Sequence, residues 1–154
     1  MVFLYTKLIS ENLCTDILQY YESQRIYLVP SSGHSNFPAR RRLLHFPDEL
    51  IGELCCQLVS FNVNTEYIRL YEQDYGIIGP HKDVSTDPNY MHTMLIYLTD
   101  KFEGSSLSIE MNDCIVTPKP QKCYGIVFPK GVTHYTTECL VGQKIILLLD
   151  VEPF

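Results

Sequence analysis

Gln143-Lys144-Ile145-Ile146-Leu147-Leu148-Leu149-Asp150-Val151 is the stretch on which the fold turns. From Ile145 to Leu149 every residue is apolar, so an extended chain is apolar on both faces there. A strand buried on both faces sits centrally in a sheet that is covered on each side. Alternation of side chains puts Lys144 on the same face as Ile146 and Leu148. An ammonium directed between apolar layers is costly unless an anion meets it. The competing reading makes Lys144 the exposed start of the strand.

Working back from this strand, seven more candidates appear: 65–71, 76–82, 91–98, 105–111, 113–117, 123–128 and 132–138. They are rich in Ile, Val, Tyr, Leu and Thr, and turn signals separate them, such as Thr86-Asp87-Pro88-Asn89, Asn112-Asp113 and Pro129-Lys130-Gly131. The first part of the chain reads differently. Leu13, Ile17, Tyr20 and Tyr21 recur at helical spacing over 10–23, with Ser10 or Asn12 as the cap. Arg25 to Val29 reads as a short strand closed by Pro30-Ser31-Ser32-Gly33, and 31–42 as an irregular surface loop. Arg40-Arg41-Arg42 reads as a solvated part of that loop, or else as a grip on an acidic or phosphate-bearing partner. His34 and His45, in or beside it, are structural or solvated. A second helix begins at Pro47 as its first residue, with Asp48 and Glu49 at the positive end and Ile51, Leu54, Cys55, Leu58 and Phe61 buried. The expected fold is mainly β with N-terminal helices. One domain over 1–154 has helical support over about 10–62 and a two-sheet jelly-roll core of about eight strands over about 65–151.

Composition narrows the function. Among 154 residues, 45% are hydrophobic and 19% charged, ordinary for a globular domain. Twelve Lys and Arg against 18 Asp and Glu give a net charge of −6, which disfavours a nucleic-acid partner. No apolar run approaches the roughly 18 residues of a membrane helix. Met1 to Ile9 lacks a basic lead, so no signal peptide is expected. The six cysteines, at 14, 55, 56, 114, 123 and 139, form no Cys-x-x-Cys pair. They are expected to be reduced, mostly buried thiols of an intracellular, cytoplasmic protein.

Gly79-Pro80-His81-Lys82-Asp83 carries the chemistry. His81 and Asp83, two apart in extended chain, project to one face and can close on one small cation. A third ligand is available in His134, within Val132-Thr133-His134-Tyr135. Two imidazoles and one carboxylate with other positions left open make the facial arrangement suited to non-haem Fe(II). A closed zinc site would want a fourth protein ligand, and none is evident. Tyr97, on the apolar run Met94 to Leu98, and Tyr71 offer phenol donors near the same anion as Lys144, or else fill the core. Thr136, two after His134, shares its face.

Together His81-x-Asp83, His134 and Lys144 resemble the 2-oxoglutarate- and Fe(II)-dependent dioxygenases, in particular the prolyl 4-hydroxylase-like subgroup. Tyr71-Glu72 with Pro80-His81-x-Asp83 resembles that subgroup's strand into the metal site. Phe102-Glu103-Gly104-Ser105-Ser106-Leu107 is similar to its Gly-Gly-x-Leu hairpin, with Ser105 in place of the second Gly. Phe128-Pro129 and Gly142-x-Lys144 also match, so the resemblance covers about 65–151. It implies a double-stranded β-helix and Fe(II) held by His81, Asp83 and His134. It implies 2-oxoglutarate chelated to the metal, its far carboxylate on Lys144 and Tyr97, with Tyr71 orienting it and Thr136 lining the pocket. O2 would be the oxidant, ascorbate an accessory reductant, and a prolyl residue of a protein or peptide the substrate, approached past the segments 31–42 and 84–90. A nucleic-acid demethylase of the same fold is disfavoured because no Arg follows Arg69. A non-catalytic barrel would tolerate loss of a ligand, and a cupin-like zinc binder would not explain Lys144.

Overall fold

The structure, a computed structural model, describes residues 4–30, 40–43, 45–73, 77–85 and 87–154. The chain enters through strand β1 (Leu4–Lys7), helix α1 (Glu11–Ser23), a 3₁₀ turn (Arg25–Tyr27), β2 (Val29–Pro30) and β3 (Arg40–Leu43). Helix α2 (Asp48–Gln57) leads to β4 (Phe61–Val63), β5 (Arg69–Gln73), β6 (Ile78–His81), β7 (His92–Tyr97), β8 (Glu103–Gly104) and β9 (Leu107–Met111). The chain ends in β10 (Cys114–Val116), β11 (Tyr124–Pro129), β12 (His134–Thr136), β13 (Cys139–Val141) and β14 (Lys144–Pro153).

A major sheet runs β1-β11-β7-β14-β5-β3-β2, with β4 also on β14, and a minor sheet runs β10-β9-β12-β6. The pairings are antiparallel, and the two sheets enclose an apolar interior in the manner of a jelly roll. As expected, β14 is central, between β7 and β5. Its side chains divide cleanly. Ile145, Leu147 and Leu149 join Met94 and Ile96 of β7 in a layer under the helices. Ile146 joins Leu95, Tyr97, Leu107 and Phe128 between the sheets. Lys144 falls on the inner side and is 2% exposed, which rules out a frayed strand start.

Helix α1 forms for the anticipated reasons, and α2 departs from them in part. Ser10 caps α1, its hydroxyl accepting the Leu13 N–H at 3.1 Å. Leu13, Cys14, Ile17 and Tyr21 make the buried face, while Tyr20 lies at its edge. Pro47 is the N-cap of α2 rather than its first helical residue; of the expected buried face Leu54 and the C-cap Leu58 are buried, Ile51 and Cys55 are half-buried, and Phe61 lies in β4 instead. Of the described helices, none is long and apolar enough to cross a membrane.

Three local expectations change. Arg25–Tyr27 is a 3₁₀ turn, and only Val29–Pro30 is strand. Cys14, Cys123 and Cys139 are buried, but Cys56 and Cys114 are exposed, so the thiols are not mostly interior. Arg40–Arg42 is not a solvated loop; it lies in β3, whose register sets Arg41 opposite Glu72. Glu72 is fully buried. Its carboxylate takes an ion pair from Arg41, a hydrogen bond from the Tyr21 hydroxyl, and another from Gln143 Nε2 at 2.8 Å. A buried carboxylate requires such donors, and Arg41 supplies one from the sheet edge. Residues 31–39, including His34 and most of the predicted loop, lie outside the described residues, and His45 is exposed as expected.

Replacing Arg41 by Met should therefore destabilise the fold by about 1–3 kcal/mol, the cost of leaving a buried acceptor short of a donor. Urea unfolding of the two proteins measures this, and coincident midpoints would show that Tyr21 and Gln143 suffice for Glu72.

Candidate metal centre

The centre begins with strand pairing. β12 and β6 are neighbours, and His134 and His81 are directly opposed across them. Opposed residues of an antiparallel pair project to the same side, and the two ring centroids are 4.2 Å apart. The register shifts between His134 and Thr136, so that Thr136 opposes Ile78. This irregularity lets Ile78 and His81, three apart in sequence, both face inward. Pro80 is exposed on β6, an edge strand of the minor sheet, where a missing N–H is tolerated.

Each imidazole is held by its own strand. Nδ1 of His81 lies 2.8 Å from the Gly79 carbonyl, and Nδ1 of His134 lies 3.1 Å from that of Val132. A carbonyl only accepts, so in the neutral ring Nδ1 carries the proton and Nε2 presents its lone pair. Both Nε2 atoms face one oxygen, Asp83 Oδ1, at 3.6 Å from His81 and 3.3 Å from His134. The three donor atoms lie within 4.8 Å of one another. Neutral Nε2 donors with Nδ1 tied back to backbone are the arrangement that metal-binding histidines adopt. The residues fit a divalent ion, and the N,N,O donor set without thiolate suits iron.

Asp83 is fixed from both sides. Its other oxygen, Oδ2, accepts from the Thr93 hydroxyl at 2.7 Å. Burial alone would raise its pKa. The His134 and His81 imidazoles in their protonated, metal-free form, together with the Thr93 hydroxyl, outweigh that and hold the carboxyl well below the usual range. Phe128 packs edge-on against the His134 ring, with centroids 4.9 Å apart.

Behind the triad lies a cavity of about 60 Å3. Of the residues singled out from sequence, His81, Asp83, His134, Tyr71, Thr136 and Lys144 all line it. Tyr97 does not. It stands fully buried, with the Lys144 ammonium 5.9 Å from its ring centroid. Its hydroxyl has no hydrogen-bond partner among the described residues, and burial pushes the phenol pKa upward, so it stays a proton donor. A buried ammonium and a metal-ligand triad on the wall of one cavity fit a ligand with an anionic end and a chelating end, such as a dicarboxylic acid.

Gln73, Thr93 and Ser105 were missed. Gln73 falls beyond the expected end of its strand, and it opposes Lys144 across β5 and β14. Thr93 shares the period-two face of Leu95 and Tyr97, a signal that was available. Ser105 has φ 49°, in the left-handed region where the related hairpin carries glycine. Its hydroxyl donates to Gln73 Oε1 at 2.6 Å, and its carbonyl accepts from Lys144 Nζ at 3.2 Å.

No family model matches the chain, and no curated protein matches it in sequence. Solved structures do. A prolyl hydroxylase from Trichoplax adhaerens, in complex with a hypoxia-inducible-factor oxygen-degradation-domain peptide, superposes with TM-score 0.77 at 12% identity, covering 98% of this chain and 83% of its own. The chain has the prolyl-hydroxylase fold. The viral collagen prolyl hydroxylase of Paramecium Bursaria Chlorella virus-1, in complex with 2-oxoglutarate, gives TM-score 0.66 at 15% identity, covering 100% of this chain and 97% of its own. SnoN, a non-haem α-ketoglutarate-dependent epimerase of nogalamycin biosynthesis, gives 0.72 at 9%, covering 98% and 77%. Within this fold the expected two-sheet core is borne out.

His134→Ala removes one of three donors. Affinity for Mn(II), measured by titration followed by electron paramagnetic resonance, should fall by a factor of about a hundred or more. Unchanged affinity would take His134 out of the ligand set.

Proposed function

We propose that this protein is an Fe(II)- and 2-oxoglutarate-dependent dioxygenase that hydroxylates a C–H bond, with a prolyl residue of a protein or peptide as the substrate. The observation that carries the reading is the single cavity that joins His81, Asp83 and His134 to the buried ammonium of Lys144. Neither half alone is specific. A metal triad can be hydrolytic, and a buried lysine can be structural. A metal and a fixed cation facing one small cavity call for a ligand with a chelating end and an anionic end.

When bound, ferrous iron with 2-oxoglutarate and O2 supplies the oxidising power: the keto acid loses CO2 to give succinate, and one oxygen atom passes to the substrate carbon. The chain supplies placement. Nε2 of His81, Nε2 of His134 and Oδ1 of Asp83 would hold the ion, and none of the three would be needed by the co-substrate or O2. Lys144 would pair with the far carboxylate, with Tyr97 behind it, its ring centroid 5.9 Å from the ammonium, as a hydrogen-bond donor. Tyr71 and Thr136 line the wall between, where they orient the chain of the acid. Leu95, Phe128 and Ile146 line the same cavity and keep water from it.

The substrate assignment draws on the peptide complex of the Trichoplax enzyme and the collagen prolyl hydroxylase of the virus. The likeness to an epimerase favours a second reading, the same oxidant acting on a small molecule. The net charge of −6 argues against nucleic acid under either.

Purified protein should form succinate from 2-oxoglutarate only when Fe(II) is present, and prolyl peptides should gain 16 Da (one oxygen atom) by mass spectrometry with ascorbate as reductant. Metal-loaded protein that neither binds nor consumes 2-oxoglutarate would overturn the assignment. Lys144→Met should weaken 2-oxoglutarate binding on the order of 2–5 kcal/mol, because the far carboxylate is left desolvated and unpaired, while Mn(II) affinity holds. Equal affinities in the two proteins would assign Lys144 a purely structural role.

A further inference from the structure

A second buried charge cluster lies directly behind the metal centre. Lys130, in the turn after β11, is 4% exposed, and Asp150 of β14 is also 4% exposed. Lys130 Nζ donates to Asp150 Oδ1 at 2.8 Å, and Arg69 donates to the same oxygen at 3.1 Å. Lys130 Nζ also lies 3.4 Å from the hydroxyl oxygen of Thr93, itself 1% exposed, and that hydroxyl reaches Asp83 Oδ2. Lys130 and Arg69 set two cations against the one carboxylate of Asp150, and Thr93 is what links this cluster to Asp83.

The direction of the hydroxyl follows from its neighbours. An ammonium only donates and an ionised carboxylate only accepts. The Thr93 proton must therefore point at Asp83, with a lone pair turned to Lys130. We infer that Lys130 and Thr93 form a one-way relay that engages Oδ2 of Asp83 and so presents only Oδ1 to the ion. The inference rests on the metal centre proposed above. Its chemical sense is occupancy: a carboxylate bound through both oxygens would fill a position that a chelating co-substrate and O2 require. Buried ion pairs contribute little net stability compared with apolar packing of the same volume. Burying one against the partner of a metal ligand is more informative than its strength. Thr93 and Lys130 are positioning residues; neither is a donor of the triad.

Thr93→Val keeps the shape and deletes the proton. The protein should remain folded by thermal melt, bind Mn(II) about tenfold or more weakly, and show an altered Co(II) d–d absorption spectrum, because Oδ2 is released. Thr93→Ser should restore both readouts. Lys130→Met, which leaves Asp150 paired with Arg69, should shift the Co(II) spectrum in the same direction by a smaller amount. If Thr93→Val fails to fold, the Lys130→Met spectrum decides. Overturning results are parental affinity and spectrum in Thr93→Val, a Thr93→Ser protein that behaves like Thr93→Val, or a parental spectrum in folded Lys130→Met. A parent that binds Mn(II) and Co(II) but never consumes 2-oxoglutarate sinks the proposed activity and leaves the relay standing. A parent that binds neither ion sinks both.

Discussion

Strict two-sided burial of β7 and β14 is the constraint from which the rest follows. Each strand sends alternate side chains to a helix-covered layer and to the space between the sheets. Register is therefore fixed, because a slip of one residue would exchange the two faces throughout. With register fixed, Thr93, Leu95 and Tyr97 of β7 and Lys144, Ile146 and Leu148 of β14 have no choice but the interior. The polar members of that set are the ones the centre uses.

Three buried charges show how differently a core can accommodate ionised groups. Glu72, on the helix side, is surrounded by the donors of Arg41, Tyr21 and Gln143. Asp150 is held by two cations. Lys144 instead stands where the inner layer opens into a cavity. The first two tie strands and helices together, and the third faces the space that a ligand would fill.

Much of this was legible in the sequence, and the reasons differ by residue. Each of the eight strand candidates has a counterpart, because Ile, Val and Tyr runs bounded by turn residues reflect local chemistry. The five strands not anticipated, β1, β3, β4, β8 and β13, are two to four residues long and owe their pairing to partners elsewhere in the chain. β3 hid because Arg-Arg-Arg-Leu has no polar–apolar alternation; what makes it a strand is Glu72. The triad was legible because His81 and Asp83 share one local period. Convergence of His134 on them came from joint spacing. Thr93 was marked only by its place on the face of Leu95 and Tyr97, and for Gln73 and Ser105 nothing local distinguishes a polar residue that serves a site from one that serves a turn. Ser105 adopts a left-handed backbone held by its contacts to Gln73, Lys144 and the Glu138 carbonyl.

The position of His81 has a further consequence. β6 borders the minor sheet, and a bare border strand is where chains of different molecules join into shared sheets. Pro80 offers no amide hydrogen on that rim, so a neighbouring polypeptide has one fewer bond with which to zip on. The residue next to a metal ligand thus also weakens strand addition along this border.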